Sequence, residues 1–375
     1  MLKRLAAFCL FCGSVAFAQT IAFRTHVIAT DLKGGYQVVP ADLNRDGRLD
    51  LIALASGMTE LVWFENPTWQ RHVIADGLNR MINVAPLDTD GDGIPELLLA
   101  HEFSNEAQKS LGTVSLLQHQ GDPRGRWTVK EIDRLPTSHR IRIINGAFVN
   151  APLTNETAKA PDYHGRIPVV LYRPGVWKRE MLNDEDEGVM HGIFVTDWDG
   201  DGRQDLLTAS FRGIHLLRSK QDGAWVRTRI SPGSEAPWPK SGSSDVTVGR
   251  LGRKRFLASI EPWHGSDVVV YTEERRQWRR QVIDDTLVDG HTILTADFDR
   301  DGRDEIVAGY RGKGRSVYLY RYDGTKWAKS VVDDGGISAA ACAAADLNSD
   351  GRPDLACIGS ATANLKWYEN VSPKK

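Results

Sequence analysis

An aromatic-led segment recurs seven times along the chain, at intervals of about 50 residues. Each copy has an aromatic residue, a few polar residues and then two apolar ones, and the copies begin at Phe23, Trp69, Trp127, Trp177, Trp225, Trp278 and Trp327. A period of this length is typical of arrays of small sheets, in which each unit buries its apolar faces against its neighbours. The repeat therefore limits the fold to architectures built from seven similar units.

Each unit contains four short strand-like segments separated by polar turns. In most units, an apolar segment enters an acidic turn, a buried segment leaves it, a third segment alternates, and the aromatic-led segment is the fourth. No long segment has the 3.6-residue period of a helix. The pattern predicts an all-β protein, a seven-bladed β-propeller with four-stranded antiparallel blades.

The phase of the repeat predicts how the ring closes. The chain opens with a fourth segment, residues 23–28, and ends with a third segment, residues 365–369. The N-terminal strand is therefore expected to join the last blade, because closure hides the sheet edges that an open array would expose.

The first residues have the pattern of a secretory signal: two basic residues, an apolar stretch and small residues at Ala16 and Ala18. We expect a signal peptide at 1–18, a single propeller domain at 19–375 and a secreted protein, periplasmic or extracellular. The apolar stretch is too short to span a membrane, and the net charge of -2 gives no basic field for nucleic acid. Cys342 and Cys357 could form a disulfide or remain two buried thiols. The oligomeric state stays open.

Five acidic turns carry oxygen-bearing side chains at positions one, three, five and nine, with glycine after position five. Clustered carboxylates of this spacing suit Ca²⁺, so we expect up to five structural calcium sites. The alternative is a set of metal-free Asx-turns. The corresponding segments 145–152 and 245–253 lack these residues and are not expected to bind Ca²⁺. The predicted ligands are Asp42, Asn44, Asp46, Asp50; Asp88, Asp90, Asp92, Glu96; Asp197, Asp199, Asp201, Asp205; Asp297, Asp299, Asp301, Glu305; and Asp346, Asn348, Asp350, Asp354.

Five histidines are expected at the mouth of the ring opposite the acidic turns. Those turns join first and second strands, so a residue just before a first strand or just after a second one lies at the other end. His139, His191 and His291 precede first strands, and His101 and His264 follow second strands. Each alone is most simply a polar loop residue, but five neutral imidazoles on one rim suit Zn²⁺ or another transition metal. The same rim carries Glu102, Arg140, Glu261, Tyr310 and Arg311.

The acidic turns resemble the FG-GAP or VCBS repeats of integrin-like propellers. The segments EPWHGSDVVVY (261–271) and DGHTILTADFDRDGRDEIVAGYRG (289–312) also resemble the propeller domain of aldos-2-ulose dehydratases. That resemblance implies a metal, typically zinc, at the bottom of a cleft and the dehydration of keto-sugars such as 1,5-anhydrofructose. His264 and His291 match its motifs as metal ligands, and His191 is added by blade equivalence.

These assignments lead to a hypothesis of a metal-dependent carbon–oxygen lyase acting on a keto-sugar. His139 or His101 would transfer the proton, and Tyr310 and Arg311 would hold sugar hydroxyls or a developing oxyanion. Two alternatives remain: a non-catalytic, calcium-stabilised propeller that binds carbohydrate or protein, and a polysaccharide lyase that uses Arg140, Arg142 and Arg311. The remaining substrate contacts are expected from Arg140, Glu102, Trp263 and Glu261.

Overall fold

The computed structural model describes residues 21–373, so the expected signal peptide lies outside the described residues. Within them the chain forms seven four-stranded antiparallel sheets, and the one helical element of this part is a 3₁₀ turn, Ala107–Lys109. The predicted all-β, seven-bladed propeller is confirmed.

The 28 strands follow the order predicted for a propeller, four to a blade from the axis outward. The first four blades are β2 (Gly35–Ala41), β3 (Asp50–Ala55), β4 (Leu61–Glu65), β5 (Gln70–Ala75); β6 (Asn83–Leu87), β7 (Glu96–His101), β8 (Thr113–Gln118), β9 (Thr128–Arg134); β10 (Ser138–Ile144), β11 (Ala147–Pro152), β12 (Arg166–Tyr172), β13 (Arg179–Glu187); and β14 (Met190–Thr196), β15 (Asp205–Ser210), β16 (Gly213–Ser219), β17 (Trp225–Ser231). Blades five to seven are β18 (Asp245–Leu251), β19 (Lys254–Glu261), β20 (Asp267–Glu274), β21 (Gln277–Asp284); β22 (Gly290–Ala296), β23 (Glu305–Tyr310), β24 (Ser316–Tyr322), β25 (Trp327–Asp334); and β26 (Ala339–Ala345), β27 (Asp354–Gly359), β28 (Leu365–Asn370), β1 (Phe23–Ala29).

The ring closes through the N-terminal strand, as its phase predicts. β1 pairs antiparallel with β28, with Phe23 opposite Asn370 and His26 opposite Trp367. His26 Nε2 also lies 2.8 Å from Glu369. The first and last strands of the described residues therefore share one sheet.

The hydrophobic core is divided among the contacts between neighbouring blades. Second strands such as β3 and β15 are buried at every residue, which explains why small and apolar residues follow their acidic first residue. Fourth strands such as β21 are largely exposed and polar. Stability is thus spread around the ring.

Tyrosines on third strands link successive blades by hydrogen bonds to aspartates. The Tyr320 hydroxyl of blade six donates to Asp284 at the end of blade five, at 2.6 Å. The Tyr172 hydroxyl of blade three likewise donates to Asp133 of blade two, at 2.6 Å. A third bond of this kind joins Tyr368 to Asp333 at 2.8 Å.

A disulfide joins β26 and β27 across the acidic turn of the last blade. Cys342 and Cys357 are directly opposite residues in the ladder, and their sulfur atoms are 2.02 Å apart. Of the two states left open by the sequence, the structure has the disulfide.

Candidate metal centre and cleft

β-bulges aim several side chains into one mouth of the ring. In four first strands the register skips Tyr36, His139, His191 and His291, each the second residue of its strand. The fifth such bulge is at Ala340. A bulged residue is left out of the ladder and can be re-aimed, so these five positions converge on the axis at the end away from the acidic turns.

Four histidines are gathered there. The ring of His191 has its centroid 4.9 Å from that of His264, 4.8 Å from that of His291 and 5.0 Å from that of His139. His264 comes from the turn after β19, where its φ is 52°. One ligand nitrogen from each of His191, His264 and His291 lies within 4.8 Å of the other two.

The hydrogen bonds of these histidines leave their Nε2 lone pairs facing one another. His291 Nδ1 lies 2.6 Å from the Ala340 carbonyl oxygen, which can only accept, so its Nε2 is unprotonated. That Nε2 is buried with no hydrogen-bond partner among the described residues. Arg140 donates to His191 Nε2 at 3.3 Å, which assigns a lone pair to that nitrogen as well.

His264 completes the set through an outer carboxylate. Its Nδ1 is 3.1 Å from Asp289 and 3.3 Å from Arg311 Nη2; the carboxylate contact is the shorter, so Nδ1 carries the proton. His264 Nε2 then faces His191 Nε2 at 3.4 Å. Two nitrogens each about 2.05 Å from a tetrahedral zinc ion are about 3.3 Å apart. With Nδ1 of each ring held by an outer group, the residues present fit a transition metal.

The site keeps its imidazoles neutral. Burial is the main cause that lowers the pKa of His139, His191 and His291 well below the usual value, and the positive charges of Arg140 or Arg311 add to it. Burial lowers the pKa of His264 as well. Neutral imidazoles are the form that binds metals and accepts protons.

Next to the three histidines lies a hydrogen-bonded pair, Tyr36 and His139. The Tyr36 hydroxyl is 2.7 Å from His139 Nε2, and Arg140 donates to that nitrogen at 3.2 Å and to the Tyr36 hydroxyl at 3.4 Å. Because Arg140 can only donate, His139 Nε2 is an acceptor and the tyrosine proton points to it.

A cleft of about 210 Å³ opens above this cluster. Asp289 fixes Arg311 at its edge through two contacts of 3.1 Å, and the Trp263 ring lies 4.8 Å from that of His264. The residues that line the cleft are Tyr36, Phe103, Asn105, His139, Leu153, His191, Trp263, His264, His291 and Arg311.

The structure places four of the expected site residues away from the cleft. His101 is buried with Nε2 3.0 Å from Ser115, and Glu102 accepts from Thr113 at 2.6 Å. Glu261 is fully buried and bonded to Ser243 and Arg280. Tyr310 is buried against Tyr318 in blade six. Each is the last residue of a second strand, or the residue after it, and points into a blade.

Tyr36 and Asp289 are the site residues that the sequence reasoning missed. Tyr36 occupies the bulged position of blade one, which His139, His191 and His291 occupy in theirs, so aligning the starts of the first strands would have found it. Asp289 lies two residues before His291, but only the fold shows that it contacts His264.

The acidic turns lie at the opposite end, between first and second strands. Asp88, Asp90 and Glu96 place one carboxylate oxygen each within 4.8 Å of the others, and the turns of blades four and six repeat this arrangement. The ninth residue of each turn is buried. In blade one, Asp50 accepts from Leu43 N–H at 2.9 Å and from Asn66 N–H at 2.9 Å. The turns of blades two, four and six thus have clustered carboxylates of the kind that suits Ca²⁺, and the turn of blade one is tied to its neighbouring segments through Asp50.

The propeller has known relatives by sequence. A profile described as the aldos-2-ulose dehydratase β-propeller domain matches residues 111–274, and one described as an FG-GAP-like repeat matches residues 42–99 and 267–357. The chain resembles the propeller of aldos-2-ulose dehydratases. The aldos-2-ulose dehydratase of Phanerodontia chrysosporium is 27% identical over 237 residues, which cover 54% of this chain and 26% of that protein. The match therefore spans about a quarter of that relative.

Solved structures share the fold with little sequence identity. A chain of the mitotic checkpoint complex aligns with a TM-score of 0.60 at 10% identity, covering 98% of this chain and 99% of that one. An ancestral GH74 enzyme aligns with a TM-score of 0.58 at 11% identity, covering 94% of this chain and 48% of that one. The WD40 propeller of Doa1 aligns at 0.56 and 12%, over 92% and 97%.

Among residues 21–373 no helix is long and apolar enough to cross a membrane.

Proposed function

We propose that this propeller is a metal-dependent carbon–oxygen lyase that eliminates water from a small keto-sugar in the cleft. The observation that carries the proposal is the convergence of three Nε2 lone pairs from His191, His264 and His291 next to the Tyr36–His139 pair. A relative by sequence that is named a dehydratase supports the proposal. Because the match covers about a quarter of that protein, the activity of this chain is itself to be tested.

The three histidines would hold Zn²⁺ or another divalent transition metal. The Ala340 carbonyl, Asp289 and Ser244 orient the rings through their Nδ1 atoms, at 2.6, 3.1 and 3.3 Å. Outer contacts of this kind fix the tautomer of a ligand histidine. When bound, such a metal supplies a Lewis acid that polarises a carbonyl oxygen.

Tyr36 and His139 can move one proton between them. As the proton next to the ketone passes to the Tyr36 oxygen, the proton of Tyr36 itself can cross the 2.7 Å bond to His139 Nε2. The carbon–oxygen bond then breaks, and the pair returns a proton to the departing hydroxyl, which leaves as water. The pair ends as it began. Arg140, within 3.4 Å of the phenol, stabilises negative charge on it.

The remaining cleft residues suit a sugar. Arg311 is fixed by Asp289 and presents its other donors to the cleft, and Trp263 offers an aromatic surface for a sugar ring. The cleft volume of about 210 Å³ is below the range of about 300–1,000 Å³ for drug-sized ligands. This volume favours a monosaccharide over a polymer. Arg142, which the polysaccharide lyase hypothesis invokes, lines a different cavity along the axis of the ring and is absent from the cleft lining.

We further propose that the acidic turns bind Ca²⁺ as structural ions and that the protein is secreted. Extracellular modules use calcium sites of modest affinity. The Cys342–Cys357 disulfide is consistent with an oxidising compartment.

The test combines elemental analysis with an activity assay. His291→Ala should lose the bound transition metal, whereas His101→Ala, a buried histidine outside the cluster, should retain it. Wild type incubated with a panel of neutral keto-sugars should produce enone absorbance, and Tyr36→Phe should lower the rate at least about 100-fold with metal content unchanged. Unchanged metal in His291→Ala would refute the metal centre. Full metal occupancy without enone from any keto-sugar would refute the lyase and favour a binding propeller.

A further inference from the structure

A second cavity, of about 310 Å³, runs along the axis of the ring behind the histidines. It is lined by inward-facing residues of β2, β6, β10, β18, β22 and β26. Arg140 and Arg142 lie two residues apart on β10, so both point to the same face. This cavity is distinct from the cleft, although Tyr36 and His291 contribute to both.

Neither guanidinium has a carboxylate partner. No acidic side chain lies within the 4 Å ion-pair distance of Arg140 or Arg142 in residues 21–373, although Asp245 lines the same cavity. Arg142 donates to the Asn83 side-chain oxygen at 3.1 Å and to the Ile141 carbonyl at 2.8 Å. Arg140 donates to neutral imidazoles and a phenol. Arg140 is buried and Arg142 is half-buried. Charges withdrawn from solvent are normally paired, so two cations without a carboxylate partner on one cavity wall need compensation.

Two other residues of the cavity wall, Asn83 and Asp245, bear on how these charges could be compensated. The Asn83 side-chain amide group donates no hydrogen bond within the described part of the chain, and the residue is 1% exposed. Asp245 accepts from Val246 N–H at 2.9 Å, and burial raises its pKa to about 6. Burial also lowers the pKa of Arg142 to about 10, which leaves it charged at neutral pH.

We infer that the axial cavity binds a small oxyanion through Arg140 and Arg142. Guanidinium groups bind carboxylate and phosphate oxygens through paired, charge-assisted hydrogen bonds, and a volume of about 310 Å³ admits such an ion with its water. The inference goes beyond the proposed function and holds whether or not the protein is a lyase. The oxyanion is either a free ion or the acid group of a larger ligand.

Calorimetric titration with phosphate and with acetate tests the site. Arg142→Gln should weaken the binding of both anions at least about tenfold. Arg142→Lys should weaken their binding less, and the exposed Arg229→Gln should leave it unchanged. Asp245→Asn removes a negative charge from the wall and should tighten both, a gain that a purely structural role for Arg142 does not predict. Equal affinities for wild type, Arg142→Gln and Asp245→Asn would overturn the inference.

Titration with 2-ketogluconate separates the two sources of the oxyanion. If the acid group belongs to a larger ligand, this sugar acid binds more tightly than acetate and the cleft variant Trp263→Ala weakens it. If the site takes a free ion, the two bind alike and Trp263→Ala changes neither. Should Arg142→Gln fail to fold, the tightening expected in Asp245→Asn decides the question, and its absence refutes the site.

Discussion

The ninth residue of an acidic turn shows how one position can combine structural and ionic roles. Glu305 is 1% exposed and accepts from Phe298 N–H at 2.9 Å. Burial, followed by repulsion from Asp299, raises the pKa of Glu305 to about 8. Below that pKa the carboxyl keeps its proton, although Arg321 Nε lies 3.8 Å from it, and a divalent ion in the turn would favour the charged form. If the turn binds Ca²⁺ as proposed, binding would release this proton.

We predict a pH-dependent effect of Glu305→Gln. In chelator, the folded chain keeps the Glu305 proton up to a pKa of about 8, whereas the unfolded chain releases it near 4.5. The stabilisation of the folded state by this proton is therefore complete below pH 4.5 and is lost as pH rises through about 8. At pH 8.5 in chelator the variant should melt about 2 °C or more above wild type, and near pH 4.5 the two should coincide.

Excess Ca²⁺ should reverse that order at pH 8.5, because only the charged carboxylate is a strong ligand. The exposed Glu235→Gln serves as the control and should follow wild type under all conditions. Scanning calorimetry across pH measures the effect, and a constant difference between Glu305→Gln and wild type would contradict it.

Between elements, the tyrosine–aspartate bonds give each blade a fixed position against the next. Asp284 ends β21 and receives both the Tyr320 hydroxyl and Lys329 Nζ from blade six, each at 2.6 Å. Hydrogen bonds to buried charged groups contribute more than neutral ones. Removing the hydroxyl leaves the carboxylate with one donor fewer at a blade contact.

Tyr320→Phe should therefore lower the free energy of unfolding by roughly 1–3 kcal/mol. Tyr322→Phe is the matched control on the same strand: its hydroxyl makes no hydrogen bond in the described residues, and the change should be within about 0.5 kcal/mol. Urea denaturation gives both values. Equal losses in the two variants would show that the bond to Asp284 contributes nothing specific.

Strand order was predictable because the period and phase of the repeat appear directly in the sequence, and the same order placed the histidines at one end of the ring. The direction in which each side chain points was not predictable from the sequence. His264 lies in the turn beyond β19 and reaches the cluster, whereas His101, at the end of β7, points into its blade. The bulges that aim Tyr36 and His291 depend on a register shift of one residue, which periodicity alone does not show.

For the whole molecule, closure of the ring depends on β1. Phe23 packs edge-on against Phe298, with centroids 5.5 Å apart, and His26 stacks on Trp367 at 4.4 Å. Without β1, the edge of β28 would be open to solvent and to other chains. Loss of the buried part of Phe23 and Ile28 would cost several kcal/mol in addition to the ladder bonds.

A chain that begins at Thr30 should thus melt roughly 10 °C below one that begins at Ile21 and should associate at high concentration. A synthetic peptide of residues 21–30, added in excess, should restore most of the melting temperature by binding as β1, because a ligand of the folded state stabilises it by mass action. A peptide with Phe23→Ser should be weaker, since it lacks the contact with Phe298. If truncation leaves the melting temperature unchanged, the six remaining four-stranded blades and one three-stranded blade hold the ring without β1, and closure by the N-terminal strand is not a source of stability.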